Sequence, residues 1–328
     1  ERARVFLPRL INPLPVDRSL LERSVALILS GLLRKLLLAN ALFNTIPAAA
    51  FTSPRDYPGQ NLFFWLLAYA FALYNDFAGY TGIVRGVSLW FGIELSPNFN
   101  LPYYSRNFTE FWTRWHISLS NWLRDYVYFP LSRSLIRHFH GSDHFLSILL
   151  PPMVTMFVSG LWHGLSWNLL VWGGMHGLYL VAERLFTLRK PLQRPDAMPL
   201  WRQHLGTFLT FTLAALAWVP FRMPVPVALQ YWSGLLHWTM PDFLGFARGL
   251  VGWSPLVNWS QFALPNPILI VVLALAIVLD ALQHRAGKEE FLLNWPRWAQ
   301  VLFVLILLLV ALLAFFSDTT APFVYQAF

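Results

Sequence analysis

From Val301 to Phe316 the chain reads VLFVLILLLVALLAFF, without a charged or polar side chain. Extended over about 18–22 residues, such a run can satisfy its backbone in lipid only as a helix. Windows of this length and character recur near 24–43, 61–81, 146–163, 165–183, 204–221, 266–283 and 299–317. They predict an all-α, polytopic membrane protein. The first window contains Arg34-Lys35. It therefore either tilts and lets these side chains snorkel, or packs them against protein.

Composition agrees. Charged residues make up 12% of the chain and hydrophobic residues 56%, where a soluble domain carries about a quarter charged. That excludes an ordinary soluble enzyme and a disordered chain. The net charge is +8, but the cations sit in short loops between apolar runs. They read as topology signals and lipid-headgroup contacts, and no nucleic-acid partner is expected. There is no cysteine, which removes disulfides, thiolate metal sites, a cysteine nucleophile and palmitoylation.

Residues 184–202 carry Arg184, Arg189, Lys190, Arg194 and Arg202, and residues 284–297 carry Arg285, Lys288 and Arg297. The longer stretch 222–264 carries only Arg222 and Arg248. The positive-inside rule places the first two loops in the cytoplasm and the third outside, with the C-terminus extracytoplasmic. Trp232, Trp238, Trp253 and Trp259 in 222–264 suit interfacial helices and loops. The chain begins Glu1-Arg-Ala-Arg, without Met or a signal peptide. The expectation is one membrane-embedded domain over 1–328, preceded by further helices.

Residues 106–130, RNFTEFWTRWHISLSNWLRDYVYFP, are too charged to cross lipid freely. As one helix, they align Phe108, Trp112, Trp115, Leu119, Trp122 and Tyr126 in an aromatic stripe. Thr109, Thr113, His116 and Ser120 form a polar stripe beside it. Glu110 and Arg114 can pair at i,i+4. Composition favours an interfacial anchor over a functional re-entrant segment.

Residues 159–177, SGLWHGLSWNLLVWGGMHG, hold two small-xxx-small patterns, Gly160 to Gly164 and Gly173 to Gly177. Each has a histidine, His163 or His176, before its second glycine. Such glycines let helix backbones approach closely. A histidine at membrane depth is costly unless it faces protein or a water-filled cavity. In a dry site the neutral imidazole is favoured. It can act as a general base toward a hydroxyl or relay protons in a transporter, and these residues alone do not separate the two.

Other polar groups carry less. His138, His140, Asp143 and His144 have a spacing open to metal ligation but read as a headgroup-level loop, and no metal is expected. Asp76 reads as structural. Asp280 is expected at a cytoplasmic helix end.

The text RNFTEFWTRWHISLSNWLRDYVYFPL followed by GLWHGLSWNLLVWGGMHG resembles the membrane-bound O-acyltransferase family, in its bacterial branch that modifies surface polymers. GLLRKLLLAN, DFAGYTGIVRG, PNFNLPY and WVPFR are lesser matches. The chain departs from the family at Gly82, where an acid is usual. It also has SRSLIRHFHGSDHF after FPL, in place of a glycine-rich turn.

The resemblance implies helices around a central tunnel, with re-entrant and interfacial helices, and His163 and His116 as the catalytic pair. Trp115, Ser120, Trp162, Asn168 and His176, from the same motifs, become candidate tunnel or substrate-lining residues. The ending Phe323-Val-Tyr325-Gln-Ala-Phe328 resembles an aromatic tail implicated in acyl relay, which makes Tyr325 a candidate carrier. The expected reaction moves a short acyl group, acetyl foremost, from a cytoplasmic thioester such as acetyl-CoA. The acceptor would be a hydroxyl of an extracytoplasmic polysaccharide or esterase-like partner protein. No cofactor would be bound, and the site would lie in the bacterial cytoplasmic (inner) membrane. The competing readings are a transporter or flippase with histidine proton relays, and a non-catalytic scaffold.

Overall fold

A computed structural model describes residues 1–142, 144–188, 199–240 and 266–317. Every regular element among them is a helix. In chain order these are α1 (Ala3–Ile11), α2 (Arg18–Leu32), α3 (Asn40–Asn44), α4 (Gly59–Leu89), α5 (Phe108–Arg114), α6 (Ile117–Leu123), α7 (Phe129–His138), α8 (Phe145–His163) and α9 (Trp167–Leu188). There follow α10 (Leu200–Arg222), α11 (Val225–Gly234), α12 (Pro267–Ala286) and α13 (Arg297–Ser317). Each of the seven apolar windows falls on helix. Five helical spans, Arg18–Asn44, Gly59–Leu89, Phe145–His163, Leu200–Arg222 and Pro267–Ala286, are long and apolar enough to cross a bilayer. The chain is a multi-pass membrane protein. Of the Trp-rich stretch, α11 is helical, and 241–265 lie outside the described residues.

The helices group into two compact units. One comprises Glu1–Pro97 with the described residues from Gln230 onward. Here α2 continues through a π-helical segment, Leu33–Ala39, into α3, and α2 packs along α4. A Cβ on Gly31 would lie 2.6 Å from the Gly79 carbonyl oxygen, so the two backbones touch as small residues allow. That approach sets Arg34 and Lys35 against α4. Arg34 is buried and donates to Asn75 (2.7 Å), Asp280 (2.8 Å) and Gln283 (2.7 Å), and Lys35 pairs with Asp76. The arginine therefore packs against protein rather than snorkelling. Asp280, expected as a helix-end acid, is 2% exposed within α12 and is the counter-charge of Arg34. Desolvation forces that pairing, because an isolated ion at this depth is prohibitive.

The other unit is Asn98–Leu229. Its centre is the α8–α9 hairpin, with α10 against α9. A Cβ on Gly160 would strike the Leu169 carbonyl, and one on Gly173 the Met156 carbonyl. The two glycine patterns thus bring one helix of the hairpin against the other. The aromatic segment is not one helix. It breaks between α5 and α6, where Trp115 is extended and His116 is left-handed at φ 41. It then resumes through a π-helical turn, Arg124–Tyr128, into α7. The expected stripe splits accordingly: Phe108, Trp115 and Leu119 are buried, whereas Trp122 and Tyr126 are exposed.

Candidate active site

The break at His116 is held from within the segment and from Asn98 and Asn100 outside it. Asn107 caps α5 through the Glu110 N–H (2.7 Å), and Glu110 accepts from the Arg106 N–H (2.9 Å) and from Arg114 (2.8 Å). Burial alone would raise the Glu110 carboxyl. The Arg106 N–H and guanidinium, with Arg114, outweigh burial and hold it below the usual carboxylate range. The α6 N-terminus is met by Asn98, whose carbonyl accepts from the Ile117 N–H (2.9 Å) and whose side chain accepts from the Ser118 N–H (3.1 Å). The Asn100 N–H donates to the Arg114 carbonyl, and Arg114 returns a bond to the Asn100 carbonyl. Ser120 donates to the Trp115 carbonyl (2.9 Å). These bonds occupy the helix ends that the break exposes. The His116 ring is therefore not needed as a cap.

A non-glycine residue in the left-handed region is uncommon and costs about 1–2 kcal/mol. The cost is met here because Asn98, Asn100 and Ser120 fix the turn. It aims the buried His116 ring at Trp162, ring centres 5.8 Å apart. Trp162 is 53% exposed and lies 4.9 Å from the His163 ring. Both imidazoles thus pack against one indole, that of Trp162. Burial pushes His116 down to about 4, so it is neutral near pH 7. His163, the last residue of α8, also meets Trp172 (5.3 Å) and Phe221 (5.1 Å).

Of the other expected site residues, Trp115 and His176 both pack on Trp218, which stacks on Trp172. Trp115 is buried against Phe99, Phe111 and Trp218. Asn168 donates to the Pro220 carbonyl (3.1 Å), tying the start of α9 to α10. His176 is fully enclosed one helical turn beyond Trp172. Tyr325 lies outside the described residues. In the loop read as open to metal, His144 accepts from the Leu146 N–H and stacks on Phe139 at 3.8 Å. Asp143 lies outside the described residues. Among those described, no group of three His, Asp or Glu is placed to hold a metal ion.

Asn98 and Glu183 are positioning groups that motif reading passed over. Asn98 lies in the PNFNLPY match, but nothing local in that text says its partner is the turn at His116. Glu183, on α9, accepts from the Phe108 N–H (2.8 Å) and the Thr109 N–H (3.1 Å) at the start of α5. Glu183→Ala leaves two donors without their acceptor. It is expected to destabilise by about 1–2 kcal/mol, with Glu183→Gln milder, as read by thermal unfolding in detergent. Equal melting of the alanine variant and the parent would refute the capping role.

Residues 12–218 match the sequence profile of MBOAT, the membrane-bound O-acyltransferase family. The "Probable alginate O-acetylase AlgI" of Azotobacter vinelandii is 38% identical over 184 residues, which is 54% of this chain and 34% of that protein. The "Peptidoglycan O-acetyltransferase" of Helicobacter pylori is 27% identical over 305 residues, 91% of this chain and 55% of that protein. The "Teichoic acid D-alanyltransferase" of Streptococcus thermophilus is 32% identical over 216 residues, 62% of this chain and 52% of that protein. The chain spans from about a third to just over half of these relatives' lengths.

Proposed function

Because this chain belongs to the membrane-bound O-acyltransferase family, we propose that it transfers a short acyl group, acetyl foremost, from a cytoplasmic thioester such as acetyl-CoA. The acceptor is a hydroxyl beyond the bacterial inner membrane, on a surface polysaccharide or on a partner protein. Tyr325 is a candidate relay for the same group. What carries the reading is the pair His116 and His163, both packed against the exposed Trp162 ring. The names of the three relatives, each an acyl transfer to a cell-surface polymer, support the same class.

In this reading a neutral His163 imidazole takes the proton of the acceptor hydroxyl as its oxygen attacks the acyl carbon. The carbon–oxygen bond forms and the carbon–sulfur bond breaks. The proton passes to the departing sulfur, so the products are one ester and one free thiol. His116, held neutral, positions the reacting groups. A hydrated passage has to bring donor and acceptor to this pair.

The test separates transfer from transport. The purified chain in vesicles receives a thioester labelled in its acyl group, with an accepting glycan on the opposite side. The expected result is labelled ester on the glycan and an equal amount of free thiol. Delivery of intact labelled thioester, or no ester at all, would overturn the proposal in favour of a transporter or a scaffold.

A further inference from the structure

His176 has no place in the chemistry above, yet its surroundings are unusual for a buried histidine. It is 0% exposed, and neither ring nitrogen has a hydrogen-bond partner. Its ring lies 5.0 Å from Trp112, 5.1 Å from Trp172 and 6.2 Å from Trp218, with Phe111 stacked at 6.0 Å. The indole N–H groups of Trp112, Trp172 and Trp218 are buried and without partners as well.

Counting donors and acceptors decides what this box wants. Each indole brings one donor and no acceptor, and a neutral imidazole brings one of each. The Tyr179 hydroxyl, on a ring 5.7 Å from His176, adds one donor and its own lone pairs, and perfect pairing would still leave donors in surplus. Buried polar groups are almost always bonded, so the box calls for oxygen lone pairs from elsewhere. Phenylalanine would fill the same space with no such demand. A guest that accepts without donating fits best, because a donating guest would add to the surplus.

The position identifies the guest. Trp172 is shared: its ring is 5.1 Å from His176 and 5.3 Å from His163. We propose that the box around His176 receives an oxygen acceptor, the carbonyl oxygen of the acyl group under transfer. The indole and imidazole N–H groups then stabilise the negative charge that this oxygen gains when the hydroxyl attacks. Donors set in a dry site for a developing oxyanion are among the larger contributors to catalysis. This inference rests on the acyl-transfer reading. The same donors could be met by a buried water instead, and the experiment separates the two sources.

The probe is acetyl-coenzyme A with 13C at the carbonyl, added to the full chain carrying His163→Ala so that it is bound without turnover. Isotope-edited infrared spectroscopy reads the carbonyl stretch. Donation from the box moves it to lower frequency than in water, and adding His176→Phe, which removes one of the four N–H donors, reduces the displacement. Trp172→Phe, which keeps a ring but removes the indole N–H, reduces it and serves if the first variant folds poorly. In the chain with His163 intact, His176→Phe is expected to lower kcat roughly a hundredfold while melting no lower than the parent. A displacement that persists undiminished in both phenylalanine variants overturns the proposal. So does the absence of displacement in every chain, which assigns the donors to water. If the displacement behaves as expected while the intact chain makes no ester, the acyl-transfer reading fails and the carbonyl site stands.

Discussion

His163→Ala is expected to cut ester formation by about 10²–10⁴-fold, the range that a positioned general base supplies, while the protein stays folded. The residue ends α8, its ring is only partly enclosed, and the α8–α9 contact is made by Gly160 and Gly173 rather than by its imidazole. The loss should fall on kcat, because proton removal belongs to the transition state. His116 needs a different comparison, since its backbone is left-handed. Asparagine tolerates that conformation better than alanine. His116→Asn therefore tests the ring with the turn kept, and His116→Ala disturbs both. Initial rates with a labelled thioester, alongside melting curves, decide the matter. Transfer at the parent rate by a well-folded His163→Ala chain would remove the base from the mechanism.

Much of this architecture is legible along the chain, and the reasons differ by element. The membrane helices are legible because an apolar run long enough to span lipid has few other folds open to it. The α8–α9 hairpin is announced by Gly160 and Gly173, whose missing side chains mark where backbones meet. The break at His116 is not legible. The aromatic spacing of Phe108, Trp112, Trp115 and Leu119 continues through it as though the helix were unbroken. What stops the helix is Asn98, on another segment. Periodicity reports which face of an element is apolar but not where a distant side chain takes over its hydrogen bonds. His176 is half legible: its motif marks close packing, but the surplus of indole donors emerges only when α5, α9 and α10 converge.

The ion pair between Arg34 and Asp280 shows the same limit and carries the other large effect. Its partners are separated by 246 positions. Asp280 alone reads as a charge at a helix end and Arg34 as one that snorkels or packs against protein, and only packing makes them a pair. Their side chains are 7% and 3% exposed, so neither has water to fall back on. Asp280→Ala is expected to destabilise the fold by about 3–5 kcal/mol, because it leaves a buried guanidinium uncompensated. Asn75 and Gln283 still accept its hydrogen bonds, but neutral amides do not balance its charge. Arg34→Met is expected to cost a similar amount by stranding the carboxylate. The double variant Arg34→Met with Asp280→Leu should recover most of the loss, because an apolar pair of similar volume carries no desolvation penalty. Arg18→Ala gives the scale at the surface, where the exposed Arg18–Glu22 pair contributes little. Unfolding in detergent, compared across the four variants, reads the outcome. If Asp280→Ala is as mild as Arg18→Ala, or the double variant is as damaged as the sum of the singles, then charge compensation is not what joins α12 to the π-helical segment and α4.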